Sequence, residues 1–157
     1  MLRALLVTSV CLLLASSGVT TAHASVTDDP DTADRIARAL AAMPGGVQTG
    51  PTTVEWRGGD VELALPWPTA RSAVGSCPSD RFCVYSGTNL SGARLSFAPC
   101  SRYSTAPLGS SVRSLANALP SSYVRAHNAS GTLLTTLAPG VQVNTAPAGI
   151  SEIACVP

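Results

Sequence analysis

Cys77-Pro-Ser-Asp-Arg-Phe-Cys83 opens the stretch that most restricts what this chain can become. Two cysteines bracket a short turn, a strand-like run follows, and Ser86-Gly87-Thr88-Asn89-Leu90-Ser91-Gly92 leads into a second run in which Ala93, Leu95 and Phe97 share one parity. Apolar residues of like parity beside a Gly/Asn/Ser-rich turn are the pattern of a β-hairpin with one buried face. A small cysteine-bearing β-structure with few side chains suited to catalysis suggests a protein that binds.

The cysteines are read against the N-terminus. Arg3 supplies a positive start, residues 4–15 form an apolar run, and Ala22-His23-Ala24 fits the small-x-small rule for signal cleavage. The run is shorter than the ~20 residues a membrane-spanning helix needs. The expectation is a signal peptide at 1–24 and a secreted, extracellular chain with no membrane association after cleavage. Cleavage discards Cys11 and leaves Cys77, Cys83, Cys100 and Cys155. An even set in an exported chain implies two bridges, with three connectivities open. Zinc would need closely spaced ligand pairs, a spacing these four lack, so no metal and no other cofactor is expected.

Charge narrows the partners. All ten basic residues are arginine, Arg3 lies in the leader, and nine acidic residues balance the rest. With no basic stripe to meet phosphates, nucleic acid and anionic lipid are not expected as partners. Avoidance of lysine beside abundant Ala, Arg, Gly, Pro, Ser and Thr is a composition associated with high-GC, actinobacterial-type genomes.

Along the chain, Asp31 or Thr32 caps an expected short helix with Ala33, Ile36, Ala37, Leu40 and Ala41 on one face, stopped by Pro44-Gly45-Gly46. Val54 and Trp56, then Val61, Leu63 and Leu65, alternate around Arg57-Gly58-Gly59-Asp60, which predicts a hairpin. Pro66-Trp67-Pro68 ends it and 69–76 reads as a linker. Beyond it, strands are expected at 82–86, 93–98, 112–115, 123–127, 132–137, 142–145 and 150–156, the spacing of an all-β sandwich. Ser91-Gly92 recurs loosely as Ser130-Gly131, 39 residues on, as duplicated units would.

The segment Cys77-Pro-Ser-x-x-x-Cys83-x-Tyr85-Ser-Gly-Thr-x-Leu-Ser-Gly-Ala-Arg94 is similar to the opening of the Streptomyces metalloproteinase inhibitor family, and Arg113-Ser-x-Ala-Asn117 and Leu137-Ala-Pro-Gly-Val-Gln-Val143 resemble later parts of it. The resemblance implies a βγ-crystallin-like Greek-key sandwich at 73–157, with the helix and hairpin of 25–72 as an N-terminal extension; because the four cysteines and the strand series lie beyond it, a chain starting near Ala73 is expected to fold by itself. It also implies a Cys77–Cys83 bridge, which leaves Cys100 with Cys155. The implied function is a monomeric secreted inhibitor of a thermolysin-like zinc metalloprotease that inserts a rigid loop into the protease cleft, so that little entropy is lost on binding. In the family the loop is braced by a second local cysteine pair; the corresponding region here, 119–130, has none, and no reactive-site residue carries over. Leu119, Tyr123 and Val124 are the candidate loop residues, with Leu90 and Leu108 in neighbouring turns as rivals.

Catalysis is the weaker reading. His127 is the only histidine beyond the leader, and nothing resembles Gly-x-Ser-x-Gly around a nucleophile. Asp60 with Glu62, or Glu55 with Glu62 across the hairpin, imitates a carboxylate pair, but these residues read as the solvent side of a hairpin. No catalytic residue is assigned and the protein is not expected to be an enzyme. Asp80 and Glu152 are the only acids after Cys77, too few for calcium. Asn89 and Asn128 sit in sequon triplets and read as turn residues. Trp56, Trp67, Tyr85, Tyr103 and Tyr123 are expected chiefly in core and turn packing. The competing class is an extracellular binding or toxin-like module of the same fold with no protease target.

Overall fold

The computed structural model describes residues 30–66 and 77–157; the expected leader, Trp67 and the linker at 69–76 lie outside the described residues. Pro30 begins helix α1 (Pro30–Ala42), where a missing N–H costs nothing, and Asp31 sits in the first turn beside the partial positive charge of the helix end. The buried stripe is Thr32, Ile36 and Ala39, with Leu40 half-buried, so Ala33, Ala37 and Ala41 face solvent instead of the core. Alanine loses little by exposure, and the helix rotates to place Ile36 and Ala39 inward, lying against a 3-10 turn at Ala106–Leu108.

Eleven strands follow among the described residues: β1 (Val47–Gly50), β2 (Thr53–Trp56), β3 (Val61–Ala64), β4 (Phe82–Tyr85), β5 (Arg94–Phe97), β6 (Arg102–Ser104), β7 (Ser114–Asn117), β8 (Tyr123–His127), β9 (Leu133–Leu137), β10 (Gln142–Val143) and β11 (Glu152–Val156). They form two antiparallel sheets, ordered β1-β2-β3-β5-β4-β7-β10 and β6-β11-β8-β9. The described residues form an all-β sandwich with one short helix. The seven strands expected beyond Cys77 are present with shifted ends: 112–115 moves to Ser114–Asn117, 142–145 contracts to Gln142–Val143, and the last strand begins at Glu152. The strands β1 and β6 were not foreseen. Only Tyr103 of β6 turns inward, and one apolar residue in three shows no alternation; β1 is a largely exposed edge whose Val47 is solvated.

Parity explains the packing. In β4, Phe82 and Val84 enter the core between the sheets, while Cys83 and Tyr85 point to the opposite face and cluster with Ala116. Leu95, Phe97 and Leu115 from the larger sheet meet Val124, Ala126, Leu137 and Ile153 from the smaller one. Phe82 stacks on Phe97 at 5.0 Å between ring centroids, and Tyr103 lies 4.7 Å from Phe97. Trp56, Tyr85 and Tyr103 are thus interior rings, and Tyr123 alone among the described tyrosines is exposed.

The N-terminal hairpin is built into this body. Strand β3 pairs with β5 through Val61–Phe97, Glu62–Ser96, Leu63–Leu95 and Ala64–Arg94. Ile36, Ala39, Val54, Trp56, Val61 and Leu63 belong to the same apolar cluster as the sandwich residues. Its turn uses Arg57, Gly58 and Gly59 at positive φ, and Gly46 has no room for a Cβ against the Trp56 indole. The glycines of the loose repeat also occupy equivalent places: Gly92 and Gly131 both have positive φ and precede the second strand of a hairpin, β4–β5 in one sheet and β8–β9 in the other.

Two disulfides join Cys77 to Cys83 and Cys100 to Cys155, with Cα separations of 5.7 and 4.9 Å. The first closes the turn entering β4, and the second fastens the segment before β6 to β11. Asn128 is a turn residue, its Oδ1 accepting the backbone N–H groups of Ser130 and Thr132.

Candidate functional site

Three turns converge on Asn117, the last residue of β7. This residue is 2 % exposed, and its parity with Leu115 sends the side chain between the sheets rather than outward. A buried amide must find partners there. Its Nδ2 donates to the Ser122 carbonyl at 2.8 Å and to the Leu137 carbonyl at 3.3 Å, while its Oδ1 accepts the Leu119 N–H at 3.1 Å. The backbone of Asn117 donates to the Val141 carbonyl and accepts the Gly140 N–H, both at 2.9 Å. Next to it, Ala118 exchanges hydrogen bonds with Arg81 and Asp80 in the disulfide-closed turn. One side chain therefore pins the loop after β7 at both of its ends, while the backbones of Asn117 and Ala118 hold it against two neighbouring turns.

Within that loop the candidate residues separate. Leu119 is 8 % and Val124 2 % exposed; both are core anchors, and Val124 lies between Cys155 and Leu137 in the smaller sheet. Pro120 and Ser121 are exposed, and Tyr123, 49 % exposed, carries the large side chain. The rivals are less accessible. Leu108 is 3 % exposed under α1. Leu90 is half-buried with φ of 56°, following Asn89 at 55°, a left-handed pair far from the extended backbone that a cleft-bound peptide adopts. The Leu90 turn is held by its N–H on Ser114 Oγ, by Ser114 Oγ donating to the Gly87 carbonyl, and by the Asn89 N–H on the Asn144 carbonyl.

Beside the pinned loop runs a shallow groove of about 150 Å³, formed by Cys77, Leu90, Ala116, Val141 and Gln142 among others. Val141, 43 % exposed, extends its apolar surface. Beneath it Tyr85 is wholly buried; burial raises its phenol pKa, partly countered by the charge of Arg94.

The residues weighed for acid–base work are dispersed. His127 Nδ1 stands 3.9 Å from Glu152 Oε1, but that oxygen is taken by Arg102 at 2.7 Å. Glu55 and Glu62 are directly opposed across β2 and β3; Glu62 pairs with Arg94 at 2.7 Å and Glu55 accepts from Thr49 Oγ1 at 3.2 Å. Among the described residues no three His, Cys, Asp or Glu side chains gather as metal ligands would, and no helix is long and apolar enough to cross a membrane.

Asn117 as a brace was not read from the sequence. Its signal was an Asn between the apolar pair Leu115-Ala116 and Ala118-Leu119-Pro120, where a strand gives way to a turn. No curated protein and no solved structure matches the chain. A family model does, over a segment that includes the disulfide turn, β4 to β7 and the pinned loop: residues 70–131 match the model of peptidase inhibitor family I36, the family that the cysteine-bracketed hairpin resembles.

Proposed function

We propose that this protein is a secreted inhibitor of an extracellular, thermolysin-like zinc metalloprotease, and that it presents the loop at 119–124 to the protease cleft with Tyr123 outward. The observation that carries this reading is the Asn117 side chain, which spans the loop from the Leu119 N–H to the Ser122 carbonyl. It does by hydrogen bonding what a local cysteine pair does covalently elsewhere in the family. A loop already fixed in the free protein loses little conformational freedom on binding, so more of the contact energy is retained as affinity.

Leu119 and Val124 act as feet of the loop rather than as contacts, since both are buried. Tyr123 offers the apolar side chain that a thermolysin-like enzyme takes just after the bond it would cut. The Ser122 carbonyl, held inward on Asn117, keeps that bond from turning toward the catalytic water. Two disulfides then hold the scaffold: one closes the turn bonded to Ala118, and the other ends at Cys155, opposite Val124.

The test is titration of the chain spanning 25–157 against thermolysin-like, subtilisin-like and trypsin-like enzymes. Loss of activity is expected with the first. Tyr123→Ala should weaken it at least tenfold while near-UV circular dichroism stays native. Unchanged activity of all three enzymes at micromolar excess would reject inhibition in favour of a binding or toxin-like module. Full inhibition by folded Tyr123→Ala would move the contact to another turn.

A further inference from the structure

A larger concavity, sharing no residue with the pinned loop, opens where the end of α1 meets the β2–β3 turn and β6. Met43, Trp56, Val61 and Tyr103 form its apolar lining, Arg57 and Arg102 its charged part, and its volume of about 390 Å³ lies in the range of small-molecule sites. The lining is rigid. Trp56 and Tyr103 are 3 % and 7 % exposed, the Trp56 Nε1 donates to the Met43 carbonyl at 2.6 Å, and the Tyr103 hydroxyl donates to the Pro99 carbonyl at 3.0 Å.

The two arginines differ. Arg102 is already engaged, its Nη1 on Glu152 at 2.7 Å. Arg57 makes no hydrogen bond or ion pair with its side chain among the described residues, and its backbone stands at φ of 53°. Glycine keeps such a conformation freely, and Gly58 and Gly59 follow at once, yet an arginine occupies this position. Among the described residues Arg57 is thus a cation without an ion pair, held at positive φ on the wall of an aromatic-lined cleft. Strain of this kind clusters at ligand-binding sites.

We propose that this cleft binds a carboxylate bearing an apolar or aromatic group, the carboxylate on the Arg57 guanidinium and the apolar part against Trp56 and Tyr103. A guanidinium presents paired N–H donors that match a carboxylate, and the rigid rings supply apolar contact without further ordering. The same chemistry is offered by small free carboxylates and by the C-terminal residue of a peptide. Asp60 acts on Tyr103 in the sense opposite to Arg57, so it opposes an anion in the cleft. The inference is independent of protease inhibition.

The experiment titrates isotope-labelled protein with N-acetyl-phenylalanine, with its amide, and with a tetrapeptide ending in phenylalanine, following the Trp56 indole N–H and the amides of Arg57, Gly58 and Tyr103. Saturable shifts are expected with both carboxylates, and binding at least tenfold weaker with the amide. Arg57→Gly should lose at least tenfold in affinity while unfolding at the same or a higher denaturant concentration, because glycine suits the backbone. Arg57→Lys should keep part of the affinity, and Asp60→Asn should strengthen it. Tighter binding of the tetrapeptide than of N-acetyl-phenylalanine assigns a peptide terminus as ligand; equal affinity assigns a small carboxylate. No shift at about 10 mM, a concentration that would reveal even millimolar affinity, overturns the proposal. So does equal binding of acid and amide, or unchanged binding by Arg57→Gly.

Discussion

Trp56→Ala reports whether the N-terminal helix and hairpin are part of the sandwich energetically as well as spatially. The indole is 3 % exposed in the core shared by both sheets, and its N–H is bonded to Met43. Truncating a buried aromatic to alanine costs about 3–5 kcal/mol, including the cavity left behind. Small domains hold about 5–15 kcal/mol in all. With a urea dependence of about 2 kcal/mol per molar, the unfolding midpoint should fall by roughly 2 M in one cooperative step. Trp56→Phe keeps most of the ring and removes only the Met43 bond, for a loss of about 1–2 kcal/mol. Native-state hydrogen exchange locates the effect. The Val84 and Leu115 amides lie in β4 and β7, two and three strands away from β3, and in Trp56→Ala they should lose protection by the full drop in global stability. By the same reasoning a chain starting at residue 73 leaves β5 without its partner β3 and should be poorly folded. Unchanged protection at Val84 and Leu115, or two separate urea transitions, would show that the extension opens alone and would refute the argument.

Asn117→Asp keeps the acceptor for Leu119 but removes both donors and buries a charge, so it should destabilise by about 2–4 kcal/mol and raise proteolytic nicking at 120–122 before elsewhere; nicking no faster than in the native chain would contradict the brace. Cys100→Ser/Cys155→Ser, which opens the long loop, should cost about 4 kcal/mol against about 2 for Cys77→Ser/Cys83→Ser, measured as chemical denaturation midpoints; the reverse order would mean that strain, not chain entropy, dominates. Burial raises the phenol pKa of Tyr85, and of Tyr103 with a further push from Asp60 and a smaller opposing effect of Arg57. The unfolded chain therefore releases these protons first. Stability should be level with respect to them below pH 10 and decline as pH rises past 10 toward the folded values, and Tyr85→Phe should reduce that decline. An unaltered alkaline slope in Tyr85→Phe would remove Tyr85 as a source.

The distribution of apolar residues along the chain determined much of the secondary structure, because a strand with one buried face must alternate. Val54, Trp56, Val61 and Leu63, and likewise Leu95 and Phe97, carry their destination in their parity. The Gly/Asn/Ser turns determined where the chain reverses, since Gly92 and Gly131 take backbone angles that most residues avoid. The four cysteines from Cys77 onward limited the bridges to three patterns without choosing one by themselves. Tertiary structure decided the rest. Whether the hairpin of β2 and β3 hangs beside the sandwich or enters it depends on β3 meeting β5, and hydrogen bonding between backbones has no signature in side-chain order. The helix face was decided by what lay beneath it, because alanines on several sides leave its rotation open. Leu119, Tyr123 and Val124 look alike as apolar residues of one short segment; only the packing of β8 against β11 and β9 buries Val124 and leaves Tyr123 outside. Asn117 became a brace for the same reason. An amide has no use for three partners until a fold buries it and brings Leu119, Ser122 and Leu137 within reach.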